Sequence, residues 1–515
     1  MKLLVTTVFT IMSFVSLSQR IGYEWIKTID SASRAITIID KENKLVVATD
    51  SNLKKFELNG NLIWTIADTL FNAQGIAVDR ENNIYLTGTN IKYISLGPYS
   101  YDVTSFIYIA KYDKSGNRIW VSTTNLQTTH NSRWNFSTSI ACDLNNSLYI
   151  TGSYTNAISF DGYQLTAYNA SAIFIAKYDT AGKAQWARKI YGTNASDALT
   201  YGQGNEIAID QNKFVYVTGS YRGPFNFGGI VFPSHVIGDI FLTKFDSNGT
   251  FLKTQTFGGD ENDEGVRLIF DKHNNLVMLA KFGDTVSING KQYQAIDRYN
   301  NAIILKFVND SIVFATQIGY SNGGEIISDI CLDKNQDIIY TGLIGNWPTL
   351  YPVIYRINSS GAIGWNYMIA ESAEKNFAFT NSIVSDTAGG IYLAGSFNQA
   401  GYFGSILLGP TDNSWHAFIG KIDPATQYPS IHFPENGSSI LIYPTVTQGN
   451  LTIVSFSKNL ENSRLCLYNL SGRLEKQFTL ASSKSEISID ELSPGMYLIT
   501  ITGAGFAETF KIIKY

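Results

Sequence analysis

Short apolar segments bounded by Asp, Asn or Gly recur along the whole chain. Ile207–Asp210 is one such segment, and a polar turn leads from it into Phe214–Gly219. These segments are rich in β-branched and aromatic residues, which is typical of strands joined by tight turns. The Asp side chain can bond the turn backbone, and Gly accepts a positive φ there. Because no stretch shows a sustained helical periodicity, the pattern predicts an all-β protein.

Four kinds of strand follow one another in a fixed order. The first ends in Asp, the second ends in Thr-Gly, the third contains Lys-aromatic-Asp, and the fourth carries Trp or Phe. The first kind recurs at Asp40, Asp79, Asp143, Asp210, Asp271, Asp333 and Asp386. A repeated four-stranded antiparallel unit of about sixty residues fits the blade of a β-propeller.

The two ends of the repeat region predict how the ring of blades closes. The seventh copy has no fourth strand of its own, because Lys421-Ile422-Asp423 is followed at once by Pro424. A strand-like segment around Trp25 precedes the first copy. We therefore predict a seven-bladed β-propeller over residues 20–427 that is closed by the N-terminal strand, which would remove an open sheet edge.

Long inserts separate the second and third strands of several copies, and each is predicted to form an extra hairpin. Examples are residues 154–171, 221–238 and 282–300. Loops at one end of a ring of blades are where binding usually resides. The candidate ligand-facing aromatic residues are Tyr99, Tyr101, Tyr163 and Phe232. The alternative is that these side chains cover the apolar faces of their own hairpins.

The segments outside the repeats predict export and a second domain. Residues 1–18 have the features of a signal peptide, with Lys2 before the apolar run Leu3–Val15. No other segment is apolar enough to span a membrane as a helix. Residues 428–437 are rich in Pro and are interpreted as a linker, and residues 438–515 alternate short strands with turns, as in a small C-terminal β-sandwich domain.

The C-terminal segment carries motifs in a specific order: Tyr443-Pro444, Gly449–Leu451, Ser471-Gly472, Leu492–Tyr497 and Lys511–Lys514. This order resembles the type A sorting domain of the type IX secretion system of Bacteroidota. The motif residues are Tyr443, Pro444, Gly472, Gly495, Tyr497 and Lys511. The chain departs from the family pattern at Pro444-Thr445-Val446, where Pro-Asn-Pro is usual. The resemblance implies that the type IX secretion machinery is a partner and that the protein is secreted or carried to the cell surface.

The repeats resemble the SBBP repeats of exported bacterial β-propellers. The segment FIAKYDTAG at 174–182, the following Trp186 and the hairpin from Asp to Thr-Gly carry this resemblance. The resemblance implies a fold but no particular ligand, because one fold serves many functions.

Charge and composition exclude several classes of protein. The net charge is −4, and the Lys and Arg residues are scattered without a basic stripe, so nucleic acid is not an expected partner. The three cysteines, Cys142, Cys331 and Cys466, are predicted to be small buried hydrophobic residues. Nucleophile-elbow, zinc-protease and P-loop motifs are lacking, and the five His residues are dispersed. The sequence therefore identifies no catalytic residue, cofactor site or metal site.

Two acidic patterns could be mistaken for metal sites. Asp260, Glu261, Asp263 and Glu264 could bind Ca²⁺ through their carboxylates, but they lack EF-hand spacing, and we interpret them as a solvated turn. The recurrent strand-end Asp residues are interpreted as turn caps.

These observations favour an exported, non-catalytic binding or scaffold protein whose propeller loops engage an extracellular glycan or protein. The alternative is a secreted hydrolase or lyase that acts on glycans with carboxylates on the propeller axis, since such pairs are defined by distance in space. A matrix or adhesion module is a further option.

Overall fold

The structure is a computed structural model of the full chain. It describes residues 19–514 apart from 68–71, 96–100, 125–135, 195–199, 236, 296–300, 320–323, 347–348, 371–377, 400, 405, 410–413, 430–439, 444–445, 448, 456–459 and 483. The predicted signal peptide and most of the predicted linker lie outside the described residues. Every regular element in the described residues is a β-strand, so the all-β prediction is confirmed. Residues Arg20–Tyr428 form one compact unit, and Pro429–Tyr515 belongs to another.

Most strands of the larger unit fall into seven consecutive antiparallel groups, called sheets 1 to 7 here in chain order, and β1 (Gln19–Asp30) joins the last two groups into one eight-stranded sheet. After β1, sheet 1 comprises β2 (Ala35–Ile39), β3 (Leu45–Thr49), β4 (Asn52–Phe56) and β5 (Leu62–Ala67). Sheet 2 comprises β6 (Ala73–Val78), β7 (Ile84–Ser95), β8 (Tyr101–Tyr112) and β9 (Arg118–Thr123), and sheet 3 comprises β10 (Phe136–Cys142), β11 (Leu148–Phe160), β12 (Tyr163–Tyr178) and β13 (Ala184–Gly192).

In the next two sheets the chain forms an extra hairpin between the second and the third strand. Sheet 4 comprises β14 (Tyr201–Ile209), β15 (Val215–Arg222), β18 (Asp239–Phe245) and β19 (Phe251–Phe257), and its extra hairpin, β16 (Phe225–Phe227) and β17 (Ile230–Phe232), pairs with β13 of sheet 3. Sheet 5 comprises β20 (Glu264–Phe270), β21 (Leu276–Phe282), β24 (Asn301–Val308) and β25 (Ser311–Ile318), and its extra hairpin, β22 (Thr285–Ile288) and β23 (Lys291–Gln294), is a separate two-stranded sheet.

The last two sheets complete the unit. Sheet 6 comprises β26 (Gly324–Leu332), β27 (Ile338–Asn346), β28 (Thr349–Ile357) and β29 (Ile363–Met368). Sheet 7 comprises β30 (Ala378–Ser385), β31 (Ile391–Phe397), β34 (His416–Pro429) and β1, and the hairpin β32 (Gly401–Phe403) and β33 (Ile406–Leu408) is a separate two-stranded sheet; on its other side β1 pairs with β29 of sheet 6. The N-terminal strand thus lies in the same sheet as the last strand of the repeat region.

The strand-end Asp residues act as turn caps, as predicted. One carboxylate oxygen of Asp79 accepts hydrogen bonds from the backbone N–H groups of Glu81 and Asn83, at 3.0 and 2.8 Å. Its other oxygen accepts the Tyr85 hydroxyl at 2.9 Å. The N–H four residues after the Asp bonds the same carboxylate oxygen at all seven turns. The repeated Asp therefore fixes each hairpin between the first two strands.

The tryptophans of the fourth strands connect neighbouring sheets. The indole N–H of Trp120 donates to the Thr180 carbonyl of sheet 3 at 3.1 Å, and a Cβ at Gly182 would lie 2.9 Å from the indole ring. Gly182 has a φ of +79°, so it supplies both the turn conformation and the space for the ring. Trp25 on β1 makes the same contacts with sheet 1, where it donates to the Leu58 carbonyl at 3.1 Å. Sheets 7 and 1 are therefore joined as sheets 2 and 3 are.

The first strands of the seven sheets enclose the centre of this unit. Each one contacts the first strands of the sheets on either side, in the cyclic order β2, β6, β10, β14, β20, β26 and β30, and β30 contacts β2.

The smaller unit contains two sheets. One has the order β35 (Ile440–Tyr443), β37 (Asn450–Ser455) and β40 (Lys484–Ser488). The other has the order β36 (Val446–Thr447), β42 (Phe506–Lys514), β41 (Gly495–Gly503), β38 (Arg464–Asn469) and β39 (Leu474–Thr479). Both sheets contribute to one apolar cluster, through Ile442, Leu451 and Ile453 from the first and Leu465, Ile499 and Ile512 from the second.

Candidate functional site

A β-bulge recurs at one position in six of the seven first strands. The pairing register shifts there, and the extra residue lies five positions before the strand-end Asp. These extra residues are Gln74, Thr138, Asn205, Val266, Ser328 and Asn381. A bulge bends its strand and re-aims a side chain, and bulges often occur beside functional sites.

All six bulge residues line one cavity, which we call the central cavity. Its volume is about 320 Å³, and Arg34, which precedes β2, completes the set of contributions from all seven sheets. Amide and hydroxyl groups predominate among the bulge side chains. Several of them also connect adjacent sheets: Asn205 donates to the Gly265 carbonyl at 2.8 Å, and the Asn381 side-chain oxygen accepts the Ala35 N–H at 3.3 Å.

The residues that follow the bulges form an ion network beside this cavity. Arg267 of sheet 5 contacts Glu206 of sheet 4 at 3.2 Å and Asp329 of sheet 6 at 3.0 Å. Ser139 of sheet 3 donates to Glu206, and the Ile383 N–H of sheet 7 donates to Asp329 at 2.9 Å. One arginine thus holds two carboxylates from the same repeat position of the flanking sheets.

Burial and neighbouring charges shift the pKa values of Glu206 and Arg267 in opposite directions. Burial raises the pKa of Glu206, although Arg267 and the Ser139 hydroxyl favour its ionised form. Burial would lower the pKa of Arg267, but the carboxylates of Asp329 and Glu206 outweigh that cost and raise it. Arg267 stays charged, so both carboxylates are engaged in ion pairs.

A second space, which we call the side pocket, adjoins the central cavity. Its volume is about 430 Å³, and both linings include Gln74 and Thr138. Phe136 and Tyr201 contribute aromatic groups, and the other lining side chains are hydroxyls or amides. The Ser153 hydroxyl is buried and has no hydrogen-bond partner among the described residues. Aromatic faces beside hydroxyl and amide groups suit a ligand with polar hydroxyls and apolar ring faces.

The predicted ligand-facing aromatic residues are placed differently from one another. Tyr99 lies outside the described residues, and only the backbone of Tyr101 is described, in β8. Tyr163 is 42% exposed at the start of β12. Phe232 is half-buried and packs on Phe227 with ring centroids 5.5 Å apart, so it covers its own hairpin, as the alternative expected. Neither Tyr163 nor Phe232 lines the central cavity or the side pocket.

The acidic cluster requires a correction. Asp263 is fully buried, and its carboxylate accepts the N–H groups of Gly259 at 2.7 Å and Gly283 at 3.0 Å. Burial raises the pKa of Asp263 to about 8, although these hydrogen bonds oppose the shift. The solvated-turn interpretation is therefore wrong for Asp263, whereas Asp260 and Glu261 are exposed as expected.

The described residues provide no further cluster of metal-binding side chains. In the described part of the chain, no three His, Cys, Asp or Glu side chains are grouped so that they could hold a metal ion. All three cysteines are free, with Cys331 and Cys466 buried and Cys142 half-buried. Among the described residues, no helix is long and apolar enough to cross a membrane.

The predicted sorting motif residues lie in the smaller unit. Tyr497 is buried in β41, and its hydroxyl donates to the Ser493 carbonyl at 2.7 Å. Gly472 forms the turn before β39 with a φ of +79°. Gly495 begins β41, while only the backbone of Tyr443 and Lys511 is described and Pro444 lies outside the described residues.

Comparison with known families identifies the C-terminal segment. Residues 441–515 match the secretion system C-terminal sorting domain. This domain directs type IX secretion, so the protein is delivered to the cell surface or the extracellular space.

The chain is similar to proteins of several kinds. One curated relative is an uncharacterized WD repeat-containing protein, L264, of Acanthamoeba polyphaga mimivirus; it is 25% identical over 261 residues, which cover 40% of this chain and 18% of that protein. A PL25 ulvan lyase structure is 11% identical with a TM-score of 0.43, covering 73% of this chain and 93% of the lyase. PorZ of Porphyromonas gingivalis, a surface component of the type IX secretion system, is 10% identical with a TM-score of 0.24, covering 95% of this chain and 82% of PorZ.

The sequence motifs do not identify the bulge residues or the network residues. The bulge residues and the network residues occupy positions five and four before each strand-end Asp. Aligning the seven copies on that Asp would have placed Glu206, Arg267 and Asp329 at one equivalent position.

Proposed function

We propose that residues 20–427 form a seven-bladed β-propeller of the SBBP type closed by the N-terminal strand, followed by a linker at 428–437 and a sorting β-sandwich at 438–515. The cyclic order of the first strands supports the blade count. The place of β1 in sheet 7 and the contact of Trp25 with Leu58 support closure. The apolar cluster shared by the two C-terminal sheets supports the sandwich.

We infer that the protein is an exported, non-catalytic binding protein and that its ligand is an extracellular glycan bound across the side pocket and the central cavity. The observation that carries this proposal is the lining. Neutral amide and hydroxyl groups, a buried Ser153 hydroxyl without a partner among the described residues, and the 37% exposed Phe136 line these two adjoining spaces. A sugar ring presents hydroxyls at its rim and an apolar face to an aromatic side chain. The aromatic inserts, with Tyr163 exposed, would extend this surface.

The test is calorimetric binding of neutral and acidic oligosaccharides to the full chain, with a parallel assay for new reducing ends or unsaturated products. We expect saturable binding without product. Phe136→Ala should weaken binding about fivefold to tenfold, because stacking contacts are worth about 1 kcal/mol. Leu144→Ala is the matched control, since Leu144 is 45% exposed in the turn after Asp143 and lines neither space. If both variants changed the binding affinity equally, the side pocket would not be the binding site.

A second candidate is a glycan hydrolase or lyase, and one observation favours it. Glu206 and Asp329 lie near the centre of the ring, and burial raises the pKa of Glu206, as a general acid requires. The ion pairs with Arg267 argue against free catalytic carboxylates. Product formation that is lost in Glu206→Gln while binding persists would establish the enzyme and refute the non-catalytic proposal.

A further inference from the structure

Arg34 is a half-buried cation in the central cavity that has no ion-pair partner among the described residues. Among the described residues, its guanidinium has one hydrogen-bond partner, the side-chain oxygen of Gln74. Burial and the nearby charge of Arg267 lower the pKa of Arg34 to about 10, which leaves it protonated at neutral pH. Charged groups taken out of water are normally paired, because desolvation without compensation is costly.

The carboxylates that attract Arg34 electrostatically, Asp50 and Asp329, bind other groups. Asp50 accepts both the N–H and the hydroxyl of Ser33 at 2.7 Å. Asp329 is bound by Arg267 at 3.0 Å and by the Ile383 N–H at 2.9 Å. These carboxylates raise the pKa of Arg34 only by longer-range attraction. The described part of the chain therefore supplies the cation but no contacting anion.

The third charged side chain of the cavity lining, Glu264, is also occupied. It forms an ion pair with Lys281 and accepts a hydrogen bond from Asn205. The lining thus combines one uncompensated guanidinium with neutral donors such as Gln74, Thr138 and Asn381. A planar guanidinium with free N–H groups matches the oxygen pairs of a carboxylate or a sulfate.

We propose that Arg34 is the specificity-determining residue for an acidic glycan, whose carboxylate or sulfate ester it binds in the central cavity while neutral parts of the chain lie in the side pocket. This inference rests on the glycan-binding function proposed above. Gln74 contributes to the linings of both spaces and orients Arg34, so it connects recognition of the acid group with recognition of the neutral rings. A purely structural Arg34 would serve only to join β2 to β6 through Gln74.

The experiment compares three matched probes by titration calorimetry on the full chain. The probes are an oligogalacturonate, the same oligosaccharide with its carboxyl groups reduced to alcohols, and a sulfated galactan oligosaccharide. Arg34→Gln removes the charge, Arg34→Lys keeps it without the planar fork, and Arg80→Gln removes an equivalent charge from the exposed turn after Asp79. Thermal unfolding of each variant provides the control for folding.

We expect at least one acidic probe to bind about tenfold or more tightly than the reduced probe, because a charge-assisted hydrogen bond typically contributes this much. Added salt should weaken acidic binding only. Arg34→Gln should abolish the preference, Arg34→Lys should retain part of it, and Arg80→Gln should change nothing. Preference for the uronate or for the sulfated probe identifies the source of the anion. If Arg34→Gln does not fold, Arg34→Lys and the salt dependence carry the test.

Two outcomes would overturn the inference while leaving the glycan-binding proposal intact. The first is equal affinity for the acidic and the reduced probes. The second is an acidic preference that survives Arg34→Gln. Failure of all three probes to bind would refute both proposals together.

Discussion

Trp25 provides the sharpest test of closure by the N-terminal strand. Its indole N–H donates to the Leu58 carbonyl at 3.1 Å, and its ring lies so close to Gly60 that a Cβ there would approach it to 2.9 Å. Its ring centroid is 6.3 Å from that of Tyr392 in its own sheet. Replacing Trp25 with Ala removes these contacts between sheets 7 and 1 at once.

The expected loss follows from burial and hydrogen bonding. Trp25 is half-buried, so truncation exposes about 100 Å² of apolar surface, worth about 2.5 kcal/mol. The hydrogen bond to Leu58 adds about 1 kcal/mol. We therefore expect Trp25→Ala to lower the free energy of unfolding by about 3.5 kcal/mol, near the low end for removal of a buried Trp.

Hydrogen exchange on the full chain, read by mass spectrometry beside a urea unfolding curve, locates this loss. Trp25→Ala should remove protection from β1 and β34, because β34 loses its covering edge strand. Trp120→Ala is the matched control, since Trp120 makes the same kind of contact between sheets 2 and 3, with Thr180 at 3.1 Å. That variant should lower stability by a similar amount but leave β1 and β34 protected.

The same contact can be tested from the opposite side. Gly60→Ala and Gly290→Ala both place Ala at positive φ, +82° and +76°, but only Gly60 faces a ring, and a Cβ at Gly290 meets nothing within 4 Å. If Gly60→Ala lowers the free energy of unfolding more than Gly290→Ala does, the difference measures the clash with Trp25. This difference should vanish when Trp25 has already been replaced by Ala. An excess that persists in that background, or full protection of β1 in Trp25→Ala, would refute the reasoning.

Three further predictions concern the network, the buried acid and the tail. Arg267→Met should cost about 3–5 kcal/mol in urea unfolding, because it leaves Glu206 and Asp329 as unpaired charges; an unchanged midpoint would contradict this. Burial raises the pKa of Asp263 to about 8. Its protonated form therefore stabilises the fold fully below about pH 4, and this contribution is lost as pH rises towards about 8. Asp263→Asn should remove this pH dependence from the plot of unfolding free energy against pH. Deleting residues 441–515 should stop delivery to the surface or medium of a type IX-secreting host, as measured by cell fractionation, whereas Gln477→Ala in the intact tail should not.

Much of the fold could be predicted from local chemistry. The strand-end Asp caps its own turn, so a residue such as Asp79 marks a hairpin without any knowledge of the remaining chain. The hairpin of β16 and β17 could also be predicted locally, because apolar runs flank Gly228-Gly229 and a Gly-Gly pair favours a tight turn. Phe232 and Asp263 show the limit, because their burial depends on which neighbouring element covers them, and a linear pattern carries no such information.

The central cavity could not be predicted in the same way. A bulge leaves no residue signature of its own, since Gln74 and Val266 occupy the same bulge position. The ion pairs of Arg267 join residues about sixty positions apart, and only the packing of adjacent sheets brings them together. A list of motifs misses such a network, whereas alignment of the copies on their Asp would show that one equivalent position varies in charge.

The repeat contains two kinds of position, those that hold each sheet together and those that face the centre. Positions that hold each sheet together, such as the strand-end Asp and the fourth-strand Trp, keep their chemistry from copy to copy because the same turn and the same contact must form each time. The positions that face the centre have no such constraint, and they change from Gln to Val at the bulge and from Glu to Arg beside it. Because six copies present their bulge residue to one cavity, substitution in a single copy alters the cavity without disturbing any turn. The proposed ligand specificity should therefore follow from the differences among the copies, and one of these differences is Arg34, the cation that precedes the one first strand without a bulge.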